Sequence, residues 1–129
     1  MTDNEMKAFI GFQQGELDAV EMYKKLAQLT KSDKLREAFL DAAKDEGRHA
    51  AIMYKLTGTQ LTPDSKLANI IEKAYKVVPK RILLQGVVLG EQFGGNGYRP
   101  YIADYPEFES IMFDEYKHRD IMRKLSKEK

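Results

Sequence analysis

A pentapeptide pattern occurs twice and strongly constrains how this chain can fold. Residues 45–49 read Asp-Glu-Gly-Arg-His and residues 114–118 read Asp-Glu-Tyr-Lys-His, and the two copies hold both histidines of the protein. If each copy is helical, its Glu and His lie on one face, because residues three apart are neighbours on a helix surface. Each copy therefore places a carboxylate and an imidazole on one helix face. Together the two copies would provide half of the ligands of a two-metal site.

Hydrophobic periodicity predicts four long helices and one short helix. The predicted helices cover roughly residues 4–29, 33–57, 63–77, 80–98 and 106–126. In each long helix a glutamate interrupts the apolar stripe, and these four residues are Glu16, Glu46, Glu91 and Glu115. Each glutamate alone is weak evidence, since a lone carboxylate is commonly the edge of a buried face.

The positions of the four glutamates along the lengths of their helices predict the topology, because inward-facing ligands meet only if they lie at the same level of the bundle. Glu16 and Glu46 are level if the first two helices form an antiparallel hairpin, and Glu91 and Glu115 are level in a second hairpin. Glu46 and Glu91 are level only if their helices run parallel, which needs a connection as long as the bundle. The segment of residues 58–79 is long enough to run the length of the bundle. The sequence therefore predicts a single all-α domain over residues 1–129, a ferritin-like four-helix bundle whose long crossover contains a short extra helix.

Six side chains then converge as predicted metal ligands: Glu16, Glu46, His49, Glu91, Glu115 and His118. One Glu from each of two helices and Glu-x-x-His from each of the other two is the carboxylate-bridged di-iron or di-manganese arrangement. Four carboxylates balance the charge of two divalent ions, and oxygen and imidazole donors suit iron or manganese, with zinc as a competitor. The alternative is four unrelated buried carboxylates and two unrelated buried histidines, and burying that many ionisable groups unpaired would be very costly in free energy.

Composition excludes several other classes of function. The chain has 21 basic and 20 acidic residues and a formal net charge of +1, so nothing indicates binding to nucleic acid or to an anionic membrane. It has no cysteine, which excludes disulfides, thiolate zinc sites and iron–sulfur clusters within these residues. The polar N-terminus and the absence of a long apolar run predict no signal peptide and no membrane span, so we expect a cytoplasmic protein.

The predicted ligands and the residues around them resemble the rubrerythrin family of the ferritin-like superfamily, over nearly the whole chain. Phe12-Gln13-Gln14-Gly15-Glu16, followed seven residues later by Tyr23, is similar to the family's first helix, and Gly90-Glu91 with Tyr98 repeats the pattern. The two pentapeptides match its other ligand motifs. Full-length rubrerythrins also carry a rubredoxin domain, whose cysteine-bound iron this chain cannot hold.

The resemblance implies a function. It implies two bound iron ions, with Glu16, Glu46, Glu91 and Glu115 as catalytic ligands. It also implies oxidoreduction with peroxide or O2, electrons from an external donor, and a homodimer. The alternatives are a ferroxidase serving iron storage, a di-iron hydroxylase similar to the demethoxyubiquinone hydroxylases, and a metal-free helical interaction module.

The family pattern breaks one turn after Glu91. Rubrerythrins have an extra carboxylate there, and this chain has Gly94, within Gly94-Gly95-Asn96-Gly97. The glycines either permit close packing of this helix on a neighbour or leave an open face where O2 or peroxide approaches the metals.

Four further residues are predicted to support the ligands. Asp45 and Asp114 each precede a ligand Glu, and we expect cross-pairs of Asp45 with His118 and of Asp114 with His49, since a metal-bound His normally donates its second N–H. Tyr23 and Tyr98 either hydrogen-bond bridging carboxylates and buffer radicals or belong to the core.

Overall fold

Five α-helices make up most of the protein in this computed structural model, which describes residues 1–128. They are α1 (Asp3–Leu29), α2 (Asp33–Thr57), α3 (Lys66–Val77), α4 (Lys80–Tyr98) and α5 (Phe108–Ser126), with a 3-10 helix at Arg99–Tyr101. No strand occurs among the described residues. The predicted all-α class is confirmed, and the helices are consistent with a ferritin-like helical bundle. Among residues 1–128, no helix combines the length and the apolarity that crossing a bilayer requires.

The helix ends follow largely from local sequence. Thr2 accepts a hydrogen bond from the backbone N–H of Glu5, whose carboxylate accepts one from the N–H of Thr2, so α1 opens with a complete capping box. Ser32 caps α2 through its hydroxyl. Gly58 ends α2 at φ 64°, a left-handed conformation that glycine adopts without steric cost.

Two helices begin a few residues later than the sequence predicts. The start of α3 was predicted at residue 63, but the helix begins at Lys66. Asp64 lies in the preceding loop because its backbone N–H donates to Asp18 Oδ1 on α1 (2.7 Å) and its carboxylate accepts from the N–H of Lys66 (2.8 Å). These two bonds hold the chain out of helical geometry until Lys66.

The second late start is that of α5, which begins at Phe108, two residues after the predicted position of about 106. The N–H of Tyr105 donates to Tyr101 O (2.9 Å), and the N–H of Phe108 donates to Tyr105 O (3.0 Å). Successive turns therefore occupy the segment in which the sequence predicted the first helical turn.

The chain divides into two compact units, Met1–Lys73 and Ala74–Lys129. In the first unit α1 pairs with α2 around an apolar core that includes Phe9, Tyr23, Leu26, Phe39 and Met53. In the second unit α4 pairs with α5 around a core that includes Leu84, Tyr98, Phe108, Ile111 and Met122. The single-domain organisation over residues 1–129 stays a prediction, and Lys129 lies outside the described residues.

The loop after α2, residues 58–65, is attached to α1 by a buried glutamine. Gln13 Nε2 donates to the carbonyl of Thr59 (2.8 Å), and the hydroxyl of Thr57 donates to Gln13 Oε1 (2.6 Å). Gln13 is buried, so both ends of its amide are satisfied inside the protein. The direction in which the loop leaves α2 is thereby fixed.

Candidate metal centre

The first unit contains three predicted ligands, which we call the first triad: Glu16, Glu46 and His49. Glu16 lies on α1, and Glu46 and His49 lie one turn apart on the facing side of α2. His49 Nδ1 is 3.2 Å from Glu16 Oε2 and 3.5 Å from Glu46 Oε1. All three side chains are buried. The structure therefore brings these three predicted ligands together.

The second unit contains the matching set, the second triad: Glu91, Glu115 and His118. Glu91 lies on α4, and Glu115 and His118 lie one turn apart on α5. His118 Nδ1 is 3.4 Å from Glu91 Oε2, and all three side chains are buried. The Glu-x-x-His run thus has the same local geometry in both units.

The donor set of each triad fits a divalent metal ion. Within each triad, one potential ligand atom per residue lies within 4.8 Å of the others. Each triad offers carboxylate oxygens and one imidazole nitrogen, a combination that suits iron, manganese or zinc. Buried carboxylates need a compensating charge, and a cation supplies it. The chemistry of the residues is therefore compatible with a metal, while the joining of the two triads around a metal pair stays a prediction.

Burial changes the acidity of Glu16. The pKa of this carboxyl is raised from 4.5 to about 8, mainly by removal from water and also by the neighbouring Glu46, while the hydrogen bond with His49 opposes the shift. The folded protein without metal therefore favours a proton on Glu16 at neutral pH. A bound cation would have to displace that proton.

The two aspartates before the ligand glutamates are largely shielded from solvent. The side chain of Asp45 is 15 % exposed and its carboxylate is 3.1 Å from Arg48 Nη1. The side chain of Asp114 is 19 % exposed and its carboxylate is 3.8 Å from Lys117 Nζ. The structure therefore does not place either side chain freely in solvent, and the cross-pairs with His118 and His49 stay predictions.

The two predicted tyrosines lie in the cores of their units. Tyr23 is buried with its ring 6.2 Å from that of Phe39. Tyr98 is buried with its ring edge-on to Phe108 at 5.2 Å. Both therefore pack as core residues, whichever further role their hydroxyls have.

The glycines after Glu91 have two different neighbours. A Cβ built on Gly95 would lie 2.6 Å from Cε1 of Tyr116, so this glycine permits close packing of α5 on α4. A Cβ on Gly94 would lie 3.2 Å from Glu115 Oε2, so this glycine leaves room for a predicted ligand. The packing interpretation is confirmed at Gly95, and access by O2 or peroxide stays a prediction.

Sequence reasoning missed the residues that hold Tyr116. Its hydroxyl donates to Asn96 Oδ1 and accepts from Arg99 Nη2 (3.1 Å), and the guanidinium of Arg119 lies 4.7 Å from the ring centre. Tyr116 occupies one of the two positions of the pentapeptide that differ between its copies. Its role in packing is identified by its position opposite Gly95 on the neighbouring helix. That alignment is not visible in a single sequence.

Comparison with known proteins agrees with the geometry of the two triads. The family model described as Rubrerythrin matches residues 12–128, a range that includes all six predicted ligands. No curated protein matches the chain. No solved structure matches it either. Because the family model covers nearly all of the 129 residues, this chain belongs to the rubrerythrin family.

Proposed function

We propose that the two triads together hold two iron ions and that the protein transfers electrons from them to peroxide or O2. The observation that carries the proposal is the pair of buried carboxylate–imidazole triads in a member of the rubrerythrin family. Two ferrous ions bring four positive charges, and the four glutamates of the triads bring four negative charges. That balance supports two ions more than one.

The residues of the chain have distinct tasks in this proposal. His49 and His118 each provide one neutral nitrogen donor, and the glutamates provide the anionic oxygen donors. Bound iron would supply the redox couple, two electrons per pair of ions. Reduction of one H2O2 to two water molecules consumes those two electrons and two protons, and an external donor then returns the electrons.

The exchange of a proton at Glu16 follows from its burial. Because the pKa of Glu16 is raised to about 8, iron binding at neutral pH releases a proton from this carboxyl. Burial of the surrounding glutamates also excludes water from their oxygens, which strengthens their attraction for a cation.

The proposal includes partners outside the chain. Within these residues there is no cysteine to hold a second iron site of the rubredoxin type, and we propose that the electrons come from a donor outside them. We further propose a homodimer in the cytoplasm, working on peroxide or O2 and binding neither nucleic acid nor membrane, with manganese or zinc as possible substitutes for iron.

Stopped-flow mixing tests this function. The protein is loaded with Fe(II) under anaerobic conditions and mixed separately with H2O2 and with O2, and the ferric product is then treated with a reductant. We expect oxidation of two irons per chain, faster with H2O2, and full re-reduction. Uptake of many irons per chain would instead indicate storage, and iron that neither oxidant changes would contradict the proposal.

A matched pair of variants makes the test specific. Glu46→Gln removes an anionic donor from the first triad, whereas Glu37→Gln changes an exposed glutamate on the same helix. We expect the first variant to lose the rapid oxidation phase and the second to retain it. Equal behaviour of the two variants would contradict the assignment of Glu46.

A further inference from the structure

The first unit contains a cavity of about 530 Å³, where α1, α2 and the loop of residues 58–65 meet. Three residues of α2 with little or no side chain form one wall, because they lie three and four positions apart on the helix: Gly47, Ala50 and Ala51. Leu17 of α1 and Leu61 of the loop add apolar surface. Ligand sites in proteins commonly have volumes of about 300–1,000 Å³ and mostly apolar linings. The cavity therefore has the size and the lining of a site for a small organic molecule.

The buried polar side chain in the lining is that of Gln13, which is 2 % exposed. Its amide nitrogen donates a hydrogen bond to the carbonyl of Thr59, and its amide oxygen accepts one from the hydroxyl of Thr57. A glutamine amide has two N–H groups and two oxygen lone pairs. Within residues 1–128, one donor and one acceptor of this amide therefore remain for a molecule in the cavity, at a position shielded from bulk water.

The mouth of the cavity is polar and carries a positive charge. Tyr54, Lys55 and Gln60 line it with exposed side chains. None of the described lining residues is acidic, so the ammonium of Lys55 is available to an anionic group through a charge-assisted hydrogen bond. Tyr54 is 47 % exposed, and its ring can stack on an aromatic ligand.

We propose that this cavity binds a small aromatic molecule that carries one anionic group, such as a carboxylate. The wall of Gly47, Ala50 and Ala51 has no side chain larger than a methyl group, so it accepts the flat face of a ring. Lys55 binds the anionic group at the mouth, and the remaining N–H of Gln13 donates to a polar atom at the inner end. The apolar body of the ligand is removed from water, which provides the main driving force for binding.

The cavity lies beside the first triad but does not include it. Gly47 and Ala50 directly follow Glu46 and His49 in the sequence, yet none of the six predicted metal ligands is among the described lining residues. Binding of the aromatic anion should therefore not require metal. Because the metal-free chain can be used, a failure of this proposal is distinguishable from a failure of the di-iron function.

An NMR titration of the metal-free chain with 2-naphthoate tests the proposal, with 2-naphthylmethanol as the uncharged analogue. We expect one 2-naphthoate to bind per chain, with a dissociation constant of about 1 mM or lower. The backbone amide signals should shift mainly at the lining residues of α1, α2 and the loop. The uncharged analogue should bind about threefold more weakly, since an exposed charge pair contributes modestly to the free energy of binding.

Gly47→Leu fills the cavity from α2, and Gly15→Leu is its matched control. Both glycines are exposed on a helix and adjoin a predicted ligand glutamate in the sequence, but only Gly47 is among the described lining residues. A Cβ on Gly47 would make ordinary contact with Val20 Cγ2 (4.0 Å), and one on Gly15 would meet no atom within 4 Å. We expect Gly47→Leu to raise the dissociation constant for 2-naphthoate about tenfold or more and Gly15→Leu to leave it unchanged. Ala51→Leu fills the same cavity from a second position and should act like Gly47→Leu.

A second matched pair tests the charge. Lys55→Gln removes the ammonium at the mouth, and Lys44→Gln changes an exposed lysine of the same helix outside the cavity. We expect Lys55→Gln to weaken 2-naphthoate binding about threefold without affecting 2-naphthylmethanol, and Lys44→Gln to affect neither. The proposal is overturned if 2-naphthoate does not bind, if its signal shifts are scattered over the surface, or if the two cavity-filling variants bind it like the wild type. Equal affinity of the wild type for the acid and the alcohol would overturn the assignment of an anionic ligand.

Discussion

Among the individual residues, Glu16 has a protonation state that depends strongly on its surroundings. Its burial on α1, next to His49 and Glu46, raises its pKa to about 8. The folded chain without metal therefore binds more protons than the unfolded chain between pH 4.5 and 8, where Glu16 is protonated only in the folded state. The free energy of unfolding must then fall as the pH rises through that window.

Thermal unfolding of the metal-free protein tests this assignment. We expect the melting temperature to decrease from pH 5 to pH 9, since the contribution of protonated Glu16 is fully present below pH 4.5 and is lost through pH 8. Glu16→Gln, which stays neutral, should weaken the decrease. A melting temperature that rises across this range in the metal-free wild type, or an unchanged slope in the variant, would contradict the raised pKa.

Gly94 is the second residue with a specific chemical consequence. A methyl group there would lie 3.2 Å from Glu115 Oε2, so the carboxylate would have to shift by a few tenths of an ångström. We expect Gly94→Ala to weaken iron binding about tenfold, an effect typical of changes next to metal ligands. Metal titration monitored by calorimetry measures it.

Gly15→Ala provides the comparison for Gly94→Ala. Gly15 directly precedes Glu16 on α1, but a Cβ there would meet no atom within 4 Å. This variant should keep the iron affinity of the wild type and gain about 1 kcal/mol of helix stability. Equal iron affinity in the two variants would show that the space beside Glu115 has no influence on the site.

Sequence alone could predict the six ligand candidates, because a glutamate or histidine on an apolar stripe is visible as a break in the periodicity. The sequence could not predict how neighbouring side chains change the acidity and the available space of these ligands. The pKa of Glu16 depends on burial and on two side chains from another helix, and the contact between Gly94 and Glu115 joins two helices. Both properties arise only when the helices have packed.

Between the helices α4 and α5, the contact of Gly95 with Tyr116 sets how closely they pack. A Cβ on Gly95 would lie 2.6 Å from the tyrosine ring, and that ring is held by Asn96, Arg99 and Arg119. We expect Gly95→Ala to destabilise the protein by about 1–3 kcal/mol through overpacking, partly offset by the helix preference of alanine, about 1 kcal/mol. Chemical denaturation measures the difference.

The same substitution should change sign when the ring is removed. In a Tyr116→Ala background, Gly95→Ala meets no ring and should stabilise α4 by about 1 kcal/mol. This double-mutant cycle isolates the contact between the two helices. An equal effect of Gly95→Ala in both backgrounds would show that the tyrosine is not the reason for the glycine.

The junction between α2 and the following loop depends on Gln13. Gln13→Ala would leave the hydroxyl of Thr57 and the carbonyl of Thr59 without their buried partner, which costs about 1–3 kcal/mol. Gln14→Ala is the control, because its bonds to the carbonyl of Thr62 (2.9 Å, exposed) and to Asp18 Oδ1 (2.9 Å, part-buried) are more accessible to water than those of Gln13 and should matter less. If the two substitutions lower the free energy of unfolding equally, the buried amide does not hold the loop.

A helix end is predictable from sequence where one residue determines it. It is displaced from the predicted position where a distant residue also bonds to the segment. Gly58 ends α2 as expected, since its left-handed conformation is a local property. The start of α3 was wrong because Asp64 bonds to Asp18, a residue 46 positions away. A distant hydrogen bond of this kind leaves no mark in the local sequence pattern.

The two units of the molecule have the same arrangement of predicted ligands. Each contributes one glutamate from one helix and Glu-x-x-His from the other. The match to the rubrerythrin family extends over both. The proposed di-iron function requires three ligands from each unit, so damage to either triad should remove metal that the other triad alone cannot retain.

Iron content is therefore the most direct test of a site shared by the two triads. The wild-type chain, loaded anaerobically with Fe(II) and freed of excess metal, should retain two irons per chain. Glu46→Ala in the first triad and His118→Ala in the second should each abolish stoichiometric binding while leaving the helical content intact. The shared site is contradicted if the wild type retains no stoichiometric iron, or if both variants retain as much as the wild type.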